Sequence, residues 1–149
     1  MMDLAEILNL IPHRPPFLWI DRIAELEPGL RCVALKFVDP AASFFAGHFP
    51  RRAVLPGVFL IEAVAQTAAV MLAGFREREA SPEEPGGGEA IPLLAAVNRF
   101  KFLQPVRPGS ELRIETRKLT DAGPMAYIEG TVHVGGKMVA KGELSVVSS

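Results

Sequence analysis

The chain has 149 residues, the length of one ordinary domain, with 49% hydrophobic and 22% charged residues, the balance of a folded globule rather than a disordered segment. Sixteen basic residues against seventeen acidic ones leave a formal charge of −1, so no overall basic field draws the chain to nucleic acid or to an anionic membrane. Cys32 is the one cysteine, which excludes an internal disulfide framework and fits a reducing compartment. Residues 1–6 lack the basic-then-apolar order of a secretory signal, and the expectation is a single cytoplasmic domain over 1–149 with no room for a second, cofactor-binding domain.

In chain order, Asp3 is placed to cap a helix over 3–10, in which Leu4, Ile7, Leu8 and Ile11 share a face. Pro12 stops it, Pro15-Pro16 keeps the next piece extended, and Phe17–Ile23 reads as a short strand. Pro28-Gly29 marks a turn into a strand over Leu30–Val38. Asp39–Leu55 is loop by composition. From about Pro56-Gly57 to the charged run Arg76–Glu79 the spacing predicts a long helix, apolar nearly all the way round. It approaches bilayer-spanning length, but Glu62 and Gln66 at its centre argue for a helix enclosed in a soluble protein. Ser81–Glu89, rich in Pro and Gly, reads as a mobile loop. Strands follow over about 93–102, 111–120, 125–134 and 137–147, with Gly135-Gly136 suited to a tight hairpin. Most strands come after the helix, so the class is α+β: one central helix wrapped by a curved antiparallel sheet. A helix apolar on all sides needs a second covering layer, and in a chain this small that layer is expected to be another subunit.

His13, His48 and His133 do not have zinc-ligand spacing, and there is no phosphate loop, dinucleotide fingerprint or nucleophile elbow. No metal or cofactor is called for. Two residues stand out. His48 lies in the tight segment Phe45-Ala-Gly-His-Phe-Pro50, and Glu62 sits in the most apolar helix of the chain. A carboxyl in apolar surroundings favours its protonated form unless it is paired, so it is suited to donate a proton while a histidine accepts one. Each also has a plainer reading: a loop histidine with a surface or structural role, and a glutamate satisfied by Gln66 one turn on or by solvent. His13 and His133 are read as structural, Cys32 as a small core residue, and Asp21-Arg22 as a strand-end salt bridge.

Together these segments resemble the FabZ-type (3R)-hydroxyacyl-[acyl carrier protein] dehydratases, which have the hot-dog fold. The resemblance runs through nearly the whole chain: Asp3-Leu-Ala-Glu-Ile-Leu, Ile11-Pro-His-Arg, Pro16-Phe-Leu-Trp-Ile-Asp-Arg22, Phe45-Ala-Gly-His-Phe-Pro50 with Val54-Leu-Pro-Gly57, Glu62-Ala-Val-Ala-Gln66 and Phe102-Leu-Gln-Pro-Val-Arg-Pro-Gly109. It implies a homodimer, with a trimer of dimers as the larger assembly, whose sites are built from two chains: His48 of one protomer facing Glu62 of the other. It implies an acyl chain on the phosphopantetheine arm of acyl carrier protein as substrate. His48 would take the C2 proton and Glu62 would protonate the departing hydroxyl. The backbone N–H of Gly57 at the helix start, and more weakly that of Phe49, would polarise the thioester carbonyl, and Gln66 would orient Glu62 or simply hydrogen-bond within the helix core. Phe59 is a candidate wall of the acyl channel.

The chain departs from the family pattern at several places. Arg51 and Ala53 replace a small residue and a proline, Leu93 and Pro15 stand where the family has tyrosines, and Leu103-Gln104 replaces a basic pair. These changes suggest a dehydratase specialised for a secondary lipid or polyketide-like pathway. Rival readings are another hot-dog thioester enzyme, an enoyl-CoA hydratase or a thioesterase, and a non-catalytic acyl-binding module.

Overall fold

The computed structural model describes residues 1–79 and 91–148, with side chains described as far as Gly74 and again from Ile91. The Ser81–Glu89 loop, expected to be mobile, lies outside the described residues.

Helix α1 spans Leu4–Leu10, and its cap is the one expected: an Asp3 carboxylate oxygen accepts the Glu6 N–H at 3.0 Å. Ile7 and Ile11 are buried, whereas Leu4 is exposed, so the apolar stripe is narrower than its spacing suggested. The expected strand over Phe17–Ile23 is corrected: β1 spans Arg22–Glu27 and begins only where that segment ends. The physical reason is that Phe17 and Trp19 do not bond to a neighbouring strand. A buried side chain, Gln66, accepts the Trp19 N–H at 2.7 Å and donates to the Phe17 carbonyl at 2.9 Å. Strand β2 covers Arg31–Phe37, and Gly29 takes the turn between them with φ +76.

After a short 3-10 helix at Ser43–Ala46 comes helix α2, Gly57–Glu79, followed by β3 (Pro92–Phe102), β4 (Glu111–Ala122), β5 (Met125–Val134) and β6 (Lys137–Ser148). The six strands form one open sheet in the order β1-β2-β4-β5-β6-β3, antiparallel throughout. The β5–β6 hairpin turns at Gly135-Gly136, both at positive φ, as a tight hairpin requires. Asp21 and Arg22 do sit in ion pairs at the start of β1, but across the sheet to Lys36 and Glu111 rather than to each other. Cys32 is a buried core residue whose thiol is pushed up by burial to about 12, so it is inert.

Helix α2 lies against one face of this sheet. Leu112 and Ile114 of β4, Ile128 and Val132 of β5 and Leu144 of β6 alternate inward to meet Leu60, Ala63, Val64 and Met71. A Cβ at Gly130 of β5 would overlap a methyl group of Val64, so this glycine sets how closely the helix approaches the sheet. The 57–74 stretch is apolar and long enough to cross a bilayer, but just over half of it is buried in this fold.

Among the described residues, two apolar surfaces near the helix and the sheet edge remain uncovered. One is a stripe of α2 comprising Val58, which is 66% exposed, and the partly exposed Ile61, Ala65 and Leu72. The other is edge strand β3, where Leu93, Leu94 and Val97 are all exposed. The opposite edge differs: Met2 pairs with Ile23 of β1 through two hydrogen bonds of 2.9 Å.

Candidate active site

His48 follows the 3-10 helix in a loop that closes on itself. Val54 N–H donates to the His48 carbonyl at 3.1 Å, and Phe49 and Arg52 exchange backbone hydrogen bonds of 3.2 and 3.1 Å. The imidazole Nδ1 lies 2.8 Å from the Val54 carbonyl oxygen. A carbonyl only accepts, so Nδ1 carries the proton and Nε2 keeps the basic lone pair. Sequence spacing gave no sign of this; the signal is the loop closure that brings residue 54 back to 48. His48 lines a cleft of about 540 Å³ together with Val54, Gly57, Ile61, Leu103 and Gln104.

Gly57 begins α2 beside His48. Its N–H has no hydrogen-bond partner among the described residues, and it sits at the positive end of the helix. A Cβ at Gly57 would lie 2.9 Å from the Phe102 ring, so the glycine lets this aromatic side chain pack against the helix start. The second carbonyl donor expected, the Phe49 N–H, is corrected: it is engaged by the Arg52 carbonyl and is not free. Phe59 is not a wall of the cleft; it stacks on Trp19 at 4.2 Å and meets Phe44 at 4.7 Å.

Glu62 keeps 21% side-chain exposure and is held rather than sealed in. Its Oε1 accepts from Gln66 Nε2 at 2.9 Å. The orientation of Gln66 is dictated from outside the helix: the Trp19 N–H requires the amide oxygen, which turns the amide nitrogen toward Glu62. Gln66 therefore hydrogen-bonds both Glu62 and the backbone of Phe17 and Trp19. Replacing Gln66 by leucine leaves the buried Trp19 N–H without its acceptor, with an expected loss of about 1–3 kcal/mol, measurable by thermal or urea unfolding.

Within one chain the structure does not bring His48 and Glu62 together. At 100° per residue, Glu62 is turned about 140° around α2 from Gly57, while Ile61, at about 40°, faces the His48 cleft. The uncovered stripe of α2 lies between the two. Glu62 instead has a histidine neighbour in its own chain: His13 Nε2 stands 3.8 Å from its Oε1. His13 was expected to be structural, and no local motif marks its approach to α2. His133 sits on β5 opposite Arg113, remote from this pair.

Residues 11–143 match the FabA-like domain family. A 3-hydroxyacyl-[acyl-carrier-protein] dehydratase FabZ of Geotalea uraniireducens is 41% identical over 143 residues, covering 96% of this chain and 94% of that protein. Its counterpart from Herpetosiphon aurantiacus is 42% identical over 147 residues, covering 94% and 98%. The chain belongs to the FabZ-type dehydratases. Among solved structures, the fold matches the dehydratase heterocomplex ApeI:P of Xenorhabdus doucetiae with a TM-score of 0.76 at 19% identity, covering 96% of this chain and 90% of that one. It also matches Cj0977, a virulence protein of Campylobacter jejuni, at 0.68 and 14%, covering 97% and 88%. The central helix and antiparallel sheet are thus the hot-dog fold. In this FabZ-type chain two departures from the family pattern, Leu103 and Gln104, lie in the His48 cleft itself, and a third, Leu93, lies on the exposed edge strand β3.

Proposed function

We propose that this FabZ-type chain removes water from (3R)-hydroxyacyl thioesters of acyl carrier protein, giving trans-2-enoyl thioesters for fatty acid or related lipid synthesis. The observation that carries the reading is the His48 tautomer: the Val54 carbonyl holds the proton on Nδ1 and leaves Nε2 as a base at the head of an apolar cleft. The C2–H of a thioester is a weak acid, and the Gly57 N–H stabilises the enolate oxygen as the His48 nitrogen takes the proton. Glu62 supplies the proton with which the 3-hydroxyl leaves as water. Its Oε1 accepts from Gln66, so Oε2 is the oxygen that carries the transferable proton. No cofactor or metal is required by these steps.

Base and acid are separated within one chain, so the complete site needs a second copy, with His48 of one protomer facing Glu62 of its partner. Two surfaces support a homodimer. The uncovered apolar stripe of α2 runs between the two residues, and β3, paired with β6 on one side, offers its outer edge with exposed Leu93, Leu94 and Val97. An edge of that length and apolarity invites strand addition by another chain.

The test is an assay of the purified protein on 3-hydroxyacyl-carrier protein across chain lengths, following the enoyl product and free thiol together. Enoyl formation without thiol release is expected. Thiol release at a comparable rate favours a thioesterase, and no turnover at all favours an acyl-binding module. The uncharged Leu103-Gln104 at the cleft supports a specialised substrate range, and equal rates on ordinary long-chain fatty acyl substrates and all others overturn that refinement.

A further inference from the structure

The Glu62 carboxyl has a second polar neighbour besides Gln66. His13 Nε2 approaches the same oxygen, Oε1, at 3.8 Å, while His13 Nδ1 is buried and without a hydrogen-bond partner. That distance is just outside hydrogen-bond range, within the reach of a small rotation of either side chain. The orphaned Nδ1 identifies the tautomer. A buried N–H without an acceptor is more costly and rarer than a buried lone pair without a donor, so the proton of the neutral ring sits on Nε2, facing Glu62. The backbone around His13 is also fixed. The Arg14 guanidinium donates to the carbonyls of Leu8, Ile11 and His13 itself at 2.9, 2.8 and 2.7 Å, tying the imidazole to the end of α1.

We propose that His13, as a neutral Nε2–H imidazole, is a positioning residue for Glu62: with Gln66 it holds Oε1 and leaves Oε2 as the proton-donating oxygen. This rests on Glu62 being the acid of the dehydration. Gln66 reaches Glu62 from along α2, and His13 reaches it from the segment after α1, so the carboxyl is fixed from two elements rather than swinging about its own helix. The charged groups facing His13 are Glu62 from α2 and Arg14 from its own segment. Burial, the larger influence, holds the imidazole below the ordinary histidine range; Arg14 acts in the same sense and Glu62 opposes them. His13 is therefore neutral near neutral pH and charges only on acidification. A neutral Nε2–H is a donor toward Oε1 that does not compete for the proton on Oε2.

His13→Phe, which keeps the bulk and loses the donor, is expected to lower kcat about 10- to 100-fold with KM nearly unchanged. His13→Gln, which restores a donor that does not titrate, is expected to recover most of that loss. A His13→Phe variant with wild-type kcat, or a His13→Gln variant no more active than His13→Phe, overturns the proposal. Nitrogen-labelled histidine NMR of the unaltered protein gives a readout independent of any variant's folding: a neutral Nε2–H signal for His13 at pH 7 is expected, and an Nδ1–H or doubly protonated ring refutes it. Glu62→Gln separates the two levels. If it retains full activity the acid assignment itself fails, whereas an inactive Glu62→Gln beside a fully active His13→Phe defeats the His13 role alone.

Discussion

His48→Ala and Glu62→Gln, prepared as separate proteins, are each expected to lose about 10²- to 10⁴-fold in kcat, the usual contribution of a positioned acid or base, and to regain activity when mixed. The reason is geometric. His48 lines the cleft at the start of α2, while Glu62 is turned to the other side of the uncovered stripe and is clamped there by Gln66. In a two-fold dimer each site takes its histidine from one chain and its glutamate from the other. A mixed dimer then has one site with both defects and one with none. After complete subunit exchange half the dimers are mixed, so about a quarter of the wild-type sites are restored. The measurement is the dehydration rate after co-incubation, with exchange verified by native mass spectrometry of differently labelled chains. Exchange without recovery would place both residues in one chain's site and refute the shared arrangement.

Gly130→Ala is expected to destabilise the fold by pushing α2 off the sheet. The new Cβ would overlap a methyl carbon of Val64, in the contact that seats α2 on β5. Overpacking of this kind costs typically about 1–3 kcal/mol, and for a chain of this size each kcal/mol lowers Tm by about 2–4 °C. Because α2 carries Gly57, Glu62 and Gln66, the displacement also reaches the chemistry: kcat should fall although no site residue is altered. A double variant, Gly130→Ala with Val64→Ala, removes the clashing methyl groups and should recover part of both losses. Unchanged melting of Gly130→Ala at matched protein concentration would show that the helix can shift at no cost.

The element pattern was largely legible before any coordinates. Strand-like segments bounded by turn residues marked β2, β4, β5 and β6, and Asp3 marked the cap of α1, because turn and capping signals are local properties of consecutive residues. Phe17–Ile23 was misread for the converse reason. Its apolar content resembles a strand, but its backbone groups are taken by Gln66, 47 positions away from Trp19. The Phe49 N–H failed in the same way, since only the folded loop shows that the Arg52 carbonyl occupies it.

The candidate site divides along the same line. Residue type and order, with the family resemblance they carry, singled out His48, Gly57, Glu62 and Gln66, since the chemistry resides in the side chains and their fourteen-residue separation from His48 to Glu62 is written in the chain. The sequence by itself thus determined which groups are present, the α+β class and the family. Tertiary structure alone decided the nitrogen on which His48 carries its proton, the direction in which Gln66 points its amide, the histidine that stands beside Glu62, and the side of α2 on which each faces. Those outcomes depend on hydrogen bonds between residues distant in sequence and on the rotation of one helix against its sheet, and no local pattern encodes either.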